Sequence, residues 1–189
     1  MTKILALIFL FLIRFHCFGQ GYSSTDTSIQ WGSKELMWCD FKGIPPSEQE
    51  RGNEAAVTAS SVYCKYTFTD DTLRFFIHSF FIKKQSWTIT DLEYSLSHER
   101  KHFDIAEIIG RKMRQYFMGL EGSFVKKDIL KSRLAEFSNE RIQLQKTYDR
   151  ETNHGIDKKK QKIWDVKIKK MLDSLDAYKQ PYGKIILKW

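Results

Sequence analysis

Hydrophobic and polar positions alternate in two stretches, 55–68 and 73–83, both rich in Val, Thr, Ser, Tyr, Phe and Ile and separated by the polar Thr69-Asp70-Asp71-Thr72. A period of two over such lengths, broken by turn-forming residues, predicts two strands joined by a turn. Before them, the aromatic segment Trp38-Cys39-Asp40-Phe41 closes on Gly43, Pro45 and Pro46, which predicts a short strand running into a loop over 47–54. After Trp87 the period changes. Leu92, Leu96, Phe103, Ala106, Ile109, Met113 and Phe117 recur at helical spacing to about Gly119, with Thr90 or Asp91 as the cap and Glu93 in the first turn. A second helix is predicted over 123–150, with Leu130, Leu134, Phe137, Leu144 and Tyr148 on one stripe. A third is predicted over 157–178, carrying Ile163, Trp164, Val166, Met171, Leu172 and Leu175 among many lysines, and 183–189 reads as a final strand. Strands followed by helices, with no internal repeat, predict a single α+β domain over 36–189, a small antiparallel sheet followed by a long helix and further antiparallel helices.

The start of the chain has a different character. Lys3 precedes an unbroken run of ten apolar residues, 4–13, and Gly19 follows, the pattern of a signal peptide (1–19) cut near Gly19. That run is too short for a bilayer, which needs about 20 apolar residues. The expected product is exported to the periplasm or outside the cell, with a small, polar, flexible leader at 20–35. Cleavage would lower the formal charge from +8 to +6, since Lys3 and Arg14 leave and no acid does. It would also leave Cys39 and Cys64, either as a disulfide in an oxidising compartment or as two free thiols. With 42% hydrophobic and 29% charged residues, the composition is that of a folded domain and excludes collagen-like or wholly disordered chains.

Candidate chemistry sits in the first long helix as His98-Glu99-Arg100-Lys101-His102. Positions i and i+4 share a helix face, so both imidazoles can reach one metal ion while Glu99 stands beside them as a general base. Zinc suits nitrogen ligands, and a catalytic site takes three protein ligands and leaves one position to water. His154, at the end of the second helix, is the leading third ligand, with Glu151 next and Glu140 or Glu136 behind. A helix-terminal imidazole that only meets the dipole is the plainer reading of His154. Asp104 and Glu107 are expected to hydrogen-bond a ligand imidazole or to form a salt bridge, Glu107 with Arg111 four residues on. Tyr148 either donates to a developing oxyanion or is a buried aromatic, and His78 is expected to pack half-buried in a strand.

Three blocks of the sequence resemble a known family: Trp38-x-Asp40-Phe41-x-Gly43-x-Pro45; then His98-Glu99-x-x-His102-Phe103-Asp104-Ile105-x-Glu107-x-x-x-Arg111; then Tyr148-Asp149-x-Glu151-Thr152-x-His154-Gly155, followed by Gln161 and Trp164. They are similar to the bacterial family catalogued as domain of unknown function nine-two-two and described as zinc-dependent proteases. The resemblance implies a zincin-like fold in a secreted or envelope protein, and strengthens His154 as a site residue. The expectation is therefore a secreted zinc metallopeptidase acting on a peptide or protein, with 73–83 as the sheet edge that pairs with an extended substrate. The alternative is a non-catalytic, zinc-stabilised binding protein of the cell envelope. Lys158, Lys159, Lys160, Lys162, Lys167, Lys169 and Lys170 could also bring the last helix against an anionic envelope surface, and export argues against a nucleic-acid partner.

Overall fold

A computed structural model describes residues 26–188. The proposed signal peptide and the first part of the leader lie outside the described residues. Within them the chain is mixed α/β, with a small antiparallel sheet and four helices. The two predicted long strands are present, with one change: the first divides into β2 (Ala56–Val57) and β3 (Ser60–Thr69). The break follows from Ala59, whose N–H goes to the Ser86 hydroxyl instead of along the ladder. β3 then runs antiparallel to β4 (Thr72–Ile82) through the turn at 70–71, where Asp70 takes φ 51°.

β4 is the centre of the sheet. β3 pairs along one side of it, while β1 (Ser28–Gln30) and β6 (Tyr182–Ile186) share the other, β1 beside 80–82 and β6 beside 72–76. This overturns two expectations. Residues 73–83 are not a free edge, because β3 covers one side of β4 and β1 and β6 cover the other. Nor is the leader free up to residue 35. Ile29 is fully buried opposite Phe81, Leu36 is buried, and the Trp31 indole donates to Asp104 at 2.9 Å. Ile29, Trp31 and Leu36 anchor text that is otherwise small and polar. The expected strand at Trp38 is instead a 3₁₀ turn, Trp38–Asp40, closed by Asp40 accepting from the Met37 N–H at 3.0 Å and from Lys34 at 2.6 Å. A separate two-stranded ribbon joins β2 to β5 (Trp87–Thr88). A short helix, α1 (Glu48–Arg51), lies in the loop that precedes it.

The long helix α2 (Glu93–Met118) is the middle layer. Ile109, Met113 and Phe117 meet Leu73, Phe75 and Ile77 of the sheet, while Ile105 and Ile108 meet Tyr148 of α3 (Lys127–Thr152) and Trp164 and Ile168 of α4 (Lys158–Ser174). Burial on both sides explains why α2 carries buried charges as well as apolar residues. Its cap is Leu92 rather than Thr90 or Asp91; Thr90 closes a small turn just ahead of it. Asp157 caps α4, accepting from the N–H groups of Lys159 and Lys160 at 3.0 Å. Cys39 and Cys64 are both free, and burial pushes the Cys64 thiol up to about 11.

Candidate metal centre

His98, Glu99 and His102 are all buried on α2, and their nitrogen and carboxylate ligand atoms lie within 4.8 Å of one another. The facing wall is α3. There Gln145, Tyr148, Asp149 and Thr152, at helical spacings of three and four, turn towards α2. Asp149 Oδ1 stands 2.8 Å from His102 Nε2 and 3.2 Å from His98 Nε2, and the two Nε2 atoms are 3.2 Å apart. Three donor atoms thus form a nearly equilateral triangle. Its edges approach the separation of about 3.3 Å expected between tetrahedral ligands bonded at 2.0–2.1 Å to one zinc ion.

The outer nitrogens of both rings are held. His98 Nδ1 donates to Gln161 Oε1 at 2.9 Å, and Gln161 Nε2 donates in turn to the Tyr148 hydroxyl at 2.6 Å and to Asp165 at 2.8 Å. The Tyr148 hydroxyl closes the circuit by donating to the His98 carbonyl at 3.3 Å, and its ring stacks on His98 with centroids 4.6 Å apart. His102 Nδ1 donates to Gln145 Oε1, and Gln145 Nε2 donates to the His102 carbonyl at 3.2 Å. Protons engaged at Nδ1 leave both Nε2 lone pairs aimed at each other and at a carboxylate oxygen. Such an arrangement requires a cation in the middle, a proton or a metal ion.

The electrostatics agree. Burial alone would lower the His102 pKa, but its contact with Asp149 and the charges of Glu99 and Asp149 outweigh it and raise the value to about 9. Burial would raise Asp149, yet its bonds to the two imidazoles hold it well below the usual carboxylate range. Desolvation pushes the Tyr148 phenol far above its ordinary value, so it stays protonated. Glu99 Oε2 is buried without a hydrogen-bond partner among the described residues, although it lines a cavity of about 600 Å³. Two imidazoles, one carboxylate and an unsatisfied second carboxylate are a donor set suited to zinc with a general base beside it.

The third vertex of the triangle is Asp149, where His154 was the leading expectation. α3 ends at Thr152, and Asn153, His154 and Gly155 all take positive φ (49°, 52° and 81°), a left-handed turn that carries the exposed His154 to the cavity rim. Glu151 accepts from the Trp164 indole at 2.9 Å, and Glu140 pairs with Lys112 and Glu136 with Arg133. Asp104 takes Trp31 and Lys101, away from the ligands. The Glu107–Arg111 pair forms at 3.0 Å. Tyr148 is fully buried behind His98, with its hydroxyl engaged by Gln161 and the His98 carbonyl, so it holds the His98 ring and does not line the cavity. Gln145, Asp149 and Gln161 were assigned no ligand or ligand-holding role from sequence. The available signal was a polar residue repeating on the Leu144–Tyr148 side of a helix whose apolar residues face the core.

The cavity in front of the triangle is bounded by 53–58, which includes β2, by Leu92 and Tyr94 at the start of α2, and by Gly155 and Ile156 after α3. Leu92 and Ile156, 62% and 65% exposed, form an apolar rim over a polar floor. No protein-family model matches the chain, and no curated protein or solved structure does.

Proposed function

We propose that this chain is an exported, zincin-like zinc peptidase in which His98, His102 and Asp149 hold the metal and Glu99 is the general base. The observation that carries the reading is the Asp149–His98–His102 triangle, with the unpartnered Glu99 carboxylate beside it, opening on one cavity. When bound, zinc supplies Lewis acidity and makes a water molecule acidic near neutral pH. Glu99 Oε2 would accept a proton from water as the water oxygen bonds to the peptide carbonyl carbon, and would return it to the amine nitrogen as the C–N bond breaks. Gln145, Gln161 and Tyr148 keep the two imidazoles in the tautomer that presents Nε2. An extended peptide has a place along β2: alternate residues of an antiparallel strand turn their N–H and C=O groups away from its partner, here β5. The zincin-like assignment rests on the three sequence blocks described above, and export after cleavage near Gly19 on Lys3 and the apolar run 4–13.

The deciding experiment compares wild type with Glu99→Gln for zinc content and for cleavage of a quenched fluorescent peptide library. Wild type is expected to hold one zinc and cut peptides, and Glu99→Gln to keep the zinc and lose hydrolysis. Cleavage that survives in Glu99→Gln overturns the role given to that residue. Zinc that resists chelators in a wild type that cuts nothing points to the envelope binding protein instead.

A further inference from the structure

On α2, close to half a turn around the axis from His98, lies a second buried polar cluster. Glu107, Arg111 and Arg114 are 3%, 5% and 2% exposed. A single carboxylate oxygen, Glu107 Oε1, accepts from Arg111 Nε at 3.0 Å and from Arg114 Nη2 at 2.6 Å. Two buried guanidinium groups therefore share one buried anion. Arg114 spends its remaining bonds on the carbonyls of Gly110 and Lys179, and Arg111 Nη1 goes to the carbonyl of Leu172 at 2.8 Å. The next carboxylate, Asp176, is 3.6 Å from Arg111, lies largely in solvent, and is shared with Lys179. Arg111 Nη2 has no acceptor among the described residues. Burial pulls Arg114 below its ordinary value, Glu107 raises it, and the neighbouring Arg111 charge lowers it again.

Beside these groups opens a cavity of about 430 Å³, whose wall includes Trp31, Ser33, Arg111, Arg114 and Lys179 together with Glu107, the one carboxylate that the two arginines share. The Trp31 ring, fixed by its bond to Asp104, lies under the Arg111 guanidinium at 5.2 Å. A buried cation that is only partly compensated is costly, and a planar guanidinium whose Nη2 lies at a cavity wall can meet that cost by taking an oxyanion. We infer that this cavity is a second binding site, remote from the metal centre, for the carboxylate or phosphate oxygens of a small anion. It is independent of the metal reading.

The test is a calorimetric titration of the purified protein with inorganic phosphate and, separately, acetate at constant ionic strength. One saturable site per chain is expected, weakened about tenfold or more by Arg111→Gln, the loss of a charge-assisted bond, and unchanged by Lys170→Gln on the exposed face of α4. Tighter binding of phosphate assigns the site to phosphorylated ligands, and tighter binding of acetate to organic acids. Equal weakening by both substitutions, or no saturable binding to wild type, overturns the site. Should Arg111→Gln fail to fold, wild-type crystals soaked in selenate decide: an anomalous peak between Arg111 and Arg114 supports the site, and peaks only elsewhere overturn it.

Discussion

At the scale of single residues, the proposed centre separates the side chains that would hold a metal from those that hold the imidazoles in place. Asp149→Ala removes a vertex of the triangle and should abolish stoichiometric zinc binding, whereas His154→Ala should leave it intact; elemental analysis of the two variants beside wild type checks both. Gln145→Ala leaves His102 Nδ1 without its acceptor while sparing every ligand atom. Loss of such an outer hydrogen bond typically weakens metal affinity about 10- to 100-fold, which competition against a fluorescent chelator would measure. His98, Glu99 and His102 were legible in the sequence because an i, i+4 pair on a helix needs no tertiary information to converge. Asp149 was not, because which of several acids on α3 meets α2 depends on the rotation of α3 about its own axis. Packing of Tyr148 against Trp164 and His98 sets that rotation.

Among the elements, helices were read more accurately than strands. All three long helices appear within a few residues of their predicted spans, since a stripe of apolar residues is a local property. The order of strands is not local. Alternation marks residues 73–83 as a strand, but only the pairing of β1 and β6 on the same side makes it central. The join between α3 and α4 shows how much one residue can contribute to an element boundary. Gly155 has φ +81°, and a Cβ there would sit 3.0–3.2 Å from His98 Cγ, Nδ1 and Cβ. Gly155→Ala should therefore cost about 1–2 kcal/mol in backbone strain alone and also displace His98. The expected outcome is a lower Tm together with weaker zinc binding, read from thermal melts and metal titration of the same sample. Asn153→Gly, in the same left-handed turn but not against His98, should leave both unchanged.

For the whole molecule, the His–Asp centre couples stability to pH and, on the proposed reading, to metal. In the metal-free protein the folded pKa of His102, about 9, exceeds its ordinary 6.5. The pairing with Asp149 then contributes stability that is complete below 6.5 and is lost as pH rises through 9. Asp149 has the opposite sign: its contribution is present above the ordinary carboxylate pKa of about 3.9 and is lost in acid. The metal-free Tm should thus fall between pH 6.5 and 9, and zinc, which takes the place of the proton, should remove that fall; melts across this range with and without chelator test it. The separation of the ligands along the chain has its own consequence. Asp149 lies 51 residues from His98, with the rest of α2 and most of α3 between them. An ion held by both helices acts as a removable cross-link across a long loop of the unfolded chain, favouring the folded state as a disulfide would, but under the control of whatever supplies or withdraws the metal.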